Sequence, residues 1–127
     1  MLSKGIFGRR AVFVGIALAG LAACQTTANQ AADRLTADQV RATFVDHEWG
    51  QGQGTFMFAK DGTYRYADNQ SKVHGSYQIA DDGVLCATNA ADSTRAGLKT
   101  CFTFYRDGSG YRYFHDRSGK YWPAYLR

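Results

Sequence analysis

Val73-His74-Gly75-Ser76-Tyr77-Gln78-Ile79, then Asp81-Asp82-Gly83, then Val84-Leu85-Cys86-Ala87 is the stretch that decides the fold. Two runs carrying Val, Ile, Tyr and Leu flank a cluster of turn formers, which is a strand, a turn and a strand. Asp-Gly suits a turn that needs a positive φ, because glycine reaches that region without a side-chain clash. The same alternation continues on both sides. Upstream lie Thr55-Phe56-Met57-Phe58 with Lys60-Asp61-Gly62, and Thr63-Tyr64-Arg65-Tyr66 with Asp68-Asn69-Gln70-Ser71. Downstream lie Lys99 to Tyr105 with Asp107-Gly108, Tyr111 to His115 with Ser118-Gly119, and Tyr121 to Leu126. The reading is mainly β: an antiparallel meander of about seven short strands forming a curved sheet or small barrel. Pro123 has no N–H for a ladder, so the last strand is expected at an edge or near an end.

One helix precedes the strands, over Leu35 to Val45. Thr36 is a good N-cap and Gln39 completes a capping box three residues on. Val40 and Phe44 share a face, and so short a helix must dock on the sheet to persist. Gly50, Gly52 and Gly54 then open the chain into strands.

The first residues read differently. Lys4, Arg9 and Arg10 precede an apolar run from Ala11 to Gly20, which falls short of the roughly 20 residues needed to span a bilayer. A basic start, a short apolar run and small residues make a signal peptide. Leu21-Ala22-Ala23-Cys24 resembles the lipobox of bacterial lipoproteins. The resemblance implies cleavage before Cys24, a lipid on its sulfur and, from Gln25 rather than Asp after it, an outer-membrane address. Each buried methylene adds about 0.8 kcal/mol, so several acyl chains hold a protein firmly. The organisation expected is a signal peptide over 1–23, a lipidated tether over 24–34 and a small β domain over 35–127. Of 127 residues, 104 remain after cleavage, enough for one small core.

The charge of +4 falls to +1 once Lys4, Arg9 and Arg10 leave, too little for a nucleic-acid partner. Five basic and nine acidic residues lie between Gln25 and Thr94, whereas seven basic and two acidic lie between Arg95 and Arg127. With Cys24 lipidated, Cys86 and Cys101 are left to pair, as an exported domain meets an oxidising compartment. Closing about fifteen residues stabilises by roughly 3 kcal/mol.

Little in the chain suggests chemistry. Asp46-His47-Glu48 is the only tight cluster of ionisable groups, and adjacent side chains diverge too much for a metal. His74 and His115 stand alone in strands. There is no nucleophile elbow and no phosphate-binding glycine loop. No cofactor and no catalytic residue is expected. The stretch that stands out is Tyr111-Arg112-Tyr113-Phe114-His115-Asp116-Arg117 with Lys120-Tyr121-Trp122. Alternation sends its side chains to opposite faces, with aromatics inward and Arg outward as one outcome. The other is a surface of Arg112, Tyr113, Arg117, Lys120, Tyr121 and Trp122 that contacts an anionic or sugar-rich polymer such as peptidoglycan or lipopolysaccharide.

Gly75 to Cys86, then Lys99-Thr100-Cys101-Phe102, then Arg106-Asp107-Gly108-Ser109-Gly110-Tyr111 resembles a domain-of-unknown-function family of small exported alphaproteobacterial proteins. The resemblance covers roughly Leu35 to Leu126. It implies an exported, disulfide-held β domain and no activity. The function expected is therefore a non-catalytic binding or structural lipoprotein of the outer membrane, partnered by the membrane through its lipid. The alternatives are an inhibitor of an envelope protease or lysozyme, using the loop from Asn89 to Gly97, and an enzyme using His47 or His115.

Overall fold

A computed structural model describes residues 32–127. The signal peptide, Cys24 and most of the tether lie outside them. The compact unit runs from Arg34 to Arg127 and holds one helix and eight strands. These are α1 (Ala37–Phe44), β1 (Glu48–Gln51), β2 (Gly54–Phe58), β3 (Thr63–Ala67), β4 (Lys72–Ile79), β5 (Leu85–Asn89), β6 (Lys99–Asp107), β7 (Gly110–His115) and β8 (Lys120–Leu126). Each strand pairs antiparallel with the next, and β8 returns to β1, so the meander closes into a barrel. Helix, strands, disulfide and core all lie within this unit, so it carries everything its fold needs.

The small-barrel reading holds, with eight strands in place of about seven. The added strand is β1, Glu-Trp-Gly-Gln, which is short, carries a glycine and shows no two-residue alternation. Its Trp49 is nevertheless the largest side chain in the core. Pro123 does not mark an open edge. β8 meets β1 only through Trp49↔Leu126 and Gly50↔Tyr125, so Pro123 lies past that short seam.

The deciding stretch behaves as its pattern demands. Along β4, half-buried and exposed positions alternate without a break, with Val73, Gly75, Tyr77 and Ile79 facing in. Gly75 is required by close approach: a Cβ there would sit 1.9 Å from the Thr88 carbonyl oxygen of β5. Gly75→Ala should therefore cost about 2 kcal/mol of stability in a urea titration, through forced movement of backbone rather than of a side chain. Asp61-Gly62, Asp82-Gly83 and Asp107-Gly108 each place glycine at positive φ, and all three turns fall at one end of the barrel.

Helix α1 closes that same end. The Thr36 hydroxyl accepts from the Gln39 N–H and the Gln39 side chain accepts from the Thr36 N–H, forming the expected capping box. Phe44 stacks on Phe104 at 4.3 Å and meets Trp49 and Tyr111 edge-on. Around it, the Asp46 carboxylate accepts from Lys60 N–H, and Arg34 reaches Asp82 from the start of the unit. Asp46, at φ 62° just past the Val45 C-cap, therefore ties the end of the helix to the barrel.

Cys86 and Cys101 are directly opposed on β5 and β6 and form a disulfide. Their neighbours Leu85, Ala87 and Phe102 are buried, so the bridge lies on the outer face.

Candidate functional site

The opposite end of the barrel is open. Along β6, Phe104 touches the helix whereas Phe102 and Thr100 line a cavity. Along β7, Tyr111 meets the helix whereas Tyr113 and His115 line the cavity. Inward residues near one tip of every strand contribute, and the cavity encloses about 680 Å³. An eight-stranded barrel is just wide enough either to be filled by its side chains or to hold one small ligand. Here the helix half is filled and the other half is a cup.

Aromatic rings build the wall: Phe56, Tyr64, Tyr66, Phe102, Tyr113 and Trp122. The rim is largely polar and comes from Gln51 at the end of β1 and from the turns between β3 and β4, β5 and β6, and β7 and β8. Most polar groups here are already engaged. Tyr64 donates to the Asn89 side-chain oxygen, and Asn89 in turn donates to the Thr94 and Arg95 carbonyls, at 3.3 and 3.0 Å. That buried pair holds the loop over 90–98 against the barrel, where Thr94, Arg95 and Leu98 become part of the cup. The longest loop, the candidate inhibitory segment, thus serves as a wall. Tyr66 donates to Asp68 at 2.8 Å. Asp68 also accepts from the Gln70 and Ser71 N–H groups, and these bonds hold its carboxyl below the usual range.

Tyr113 is not among the engaged groups. It is only 5% exposed and lines the cup, yet its hydroxyl meets no hydrogen-bond partner among the described residues. Burial pushes its phenol up to about 12, so it stands as a neutral donor.

His115 and Ser118 are the pair that an enzyme reading would use. Ser118 Oγ lies 3.0 Å from His115 Nδ1. Nδ1 also accepts from the Ser118 N–H at 3.1 Å, which places the ring proton on Nε2. A nucleophile–base pair needs a third group to orient the base. The neighbouring Asp116 instead accepts from Cys101 N–H at 2.9 Å, and this His–Ser contact is a turn closure. Burial lowers the His115 pKa from its ordinary 6.5. The unfolded chain therefore binds this proton more readily, so stability should fall as the pH drops below about 6.5. His115→Gln should flatten that part of the Tm-against-pH curve.

The surface expected from sequence is divided between two faces. Tyr113 is a correction: it is buried, because the alternation of β7 turns it inward with Tyr111 while Arg112 points out. Trp122 also faces the cup, with its indole N–H 3.4 Å from Ser118 Oγ. Arg117 lies at the mouth, and Lys120 is exposed at the start of β8. Outside, Arg112 lies over Tyr105 and Tyr121 at 4.8 and 5.7 Å, with Phe114 against Tyr121. The cup residues Phe56, Tyr66, Asp68, Asn89 and Arg95 carry no local motif, and only closure brings them together.

Asp46, His47 and Glu48 do not gather into a metal site. Among the described residues no group of three acidic, histidine or cysteine side chains is placed to hold a metal ion, and no helix is long and apolar enough to cross a membrane.

A family model described as a protein of unknown function, DUF995, matches residues 12–124. No curated protein and no solved structure matches the chain.

Proposed function

We propose, for a chain that belongs to the DUF995 family of proteins of unknown function, that it is a lipid-anchored protein of the bacterial outer membrane which holds a small ligand in its barrel and does no chemistry on it. The observation that carries the binding half is the cup. Its 680 Å³ falls within the roughly 300–1,000 Å³ of ordinary ligand sites, and its apolar wall with a few convergent polar groups is their usual make-up. Of the residues that the β7–β8 sequence suggested for a polymer-binding surface, Tyr113, Arg117 and Trp122 line the cup. Tyr64, Tyr66, Asn89 and Ser118 are engaged with their own neighbours, which favours holding a molecule over converting it.

The anchored half rests on Leu21-Ala22-Ala23-Cys24 after a basic and apolar start, on Gln25 in the next place, and on a disulfide that suits an oxidising compartment. Intact mass of the membrane-extracted protein tests it. The expected chain begins at Cys24, carries the added mass of acyl chains and lacks two hydrogens at Cys86 and Cys101. A chain that still begins at Met1 with a free Cys24 thiol would remove the anchor.

A further inference from the structure

Three features of the cup narrow what fits it. The first is the aromatic wall, where Phe56 and Trp122 offer flat, partly exposed rings that a planar or branched apolar body covers well, with the buried Phe102 as floor between them. The second is the Tyr113 hydroxyl, which opens into the cup with no hydrogen-bond partner among the described residues. A hydroxyl open to a cavity is free to donate to or accept from whatever fills that cavity. The third is the charge at the mouth. Arg95 and Arg117 both line the rim, and neither forms a salt bridge with a described carboxylate. Asp68, the carboxylate at that rim, already accepts hydrogen bonds from Tyr66, Gln70 and Ser71.

We infer that the cup takes a small amphipathic anion: an apolar, ring-like body against Phe56, Phe102 and Trp122, a hydrogen-bonding group at the Tyr113 hydroxyl, and an acidic group held at the mouth by Arg95 and Arg117. Guanidinium is suited to this, since its planar fork grips a carboxylate, sulfonate or phosphate through two parallel bonds. The orientation follows from solvation. The charged end stays at the wet rim, where leaving water costs least, and the apolar end occupies the aromatic interior. This inference rests on the cup being a ligand site.

Two fluorescent probes with the same ring system separate the claims: anilinonaphthalenesulfonate, which is anionic, and neutral N-phenylnaphthylamine. Both are titrated into the unlipidated chain Gln25–Arg127, which contains the whole folded unit. The expected result is one site per chain, with the sulfonate bound about tenfold tighter than the amine at low salt. Arg95→Gln with Arg117→Gln should bring the two probes to parity while leaving Tm unchanged. Tyr113→Phe should weaken both probes several-fold, about the worth of one hydrogen bond. Equal affinity for both probes, indifferent to the two arginine changes, overturns the anionic ligand and leaves the cup in place. Binding that responds to Arg112→Gln and ignores Tyr113→Phe puts the probe on the outer face and overturns the assignment. No binding of either probe by the folded chain removes the cup reading and this inference together.

Discussion

Trp49→Ala should lower stability by about 4 kcal/mol, the largest loss expected from any single truncation in this chain. Trp49 is completely buried and stacks on Phe56 at 4.5 Å. Phe104 and Tyr113 meet it nearly perpendicular, both at 5.3 Å. Emptying that position leaves a void at the junction of helix, filled core and cup floor, and close-packed neighbours cannot collapse into it. The indole N–H has no hydrogen-bond partner among the described residues. Perpendicular rings around it supply weak contacts at most. Trp49→Phe keeps an aromatic plane and discards the unpaired N–H, so it should cost less than half as much. Urea unfolding of both variants checks this. Equal losses would mean that the N–H, rather than ring volume, carries the stability.

The second large effect is the staple. Replacing Cys86 and Cys101 together by Ser should cost about 3 kcal/mol, because the unfolded chain regains the freedom of a loop spanning a sequence separation of 15. For a domain of about 100 residues that lowers Tm by about 15 °C. Reduction of the wild type should produce the same shift. The bridge lies on the outer face, away from the core, so the cup should keep its shape at temperatures where the variant is still folded. The measurement is a thermal melt with and without reductant. An unchanged Tm would show that β5–β6 pairing alone fixes the register Leu85↔Phe102 to Thr88↔Lys99.

The fold was legible where local chemistry repeats. β4 advertises its inward and outward faces at every residue, and three Asp-Gly pairs place three turns. The capping box of α1 was equally plain, because the pattern is contained in four consecutive residues. β1 was hidden because its four residues hold one large apolar side chain and a glycine, so periodicity had nothing to repeat. The site was legible only in part. Trp122 and Arg117 stood out as aromatic and basic, but alternation assigns Trp122 and Tyr113 to the inside and Arg112 and Tyr121 to the outside. Which tip of a strand is open depends on where the helix docks. That depends on Phe44 finding Phe104, sixty positions away in the chain, and no short window contains both.

The cup itself is tested most directly by two resonances. The chain has two tryptophans: Trp122 lines the cup and Trp49 lies in the filled core. Titrating N-phenylnaphthylamine into isotope-labelled protein should move the Trp122 indole N–H signal, with Tyr66 and Tyr113 ring signals following and Trp49 shifting far less. Shifts confined to Tyr105, Arg112 and Tyr121 on the outer face, or no shift in either indole, would contradict a barrel that holds its ligand inside.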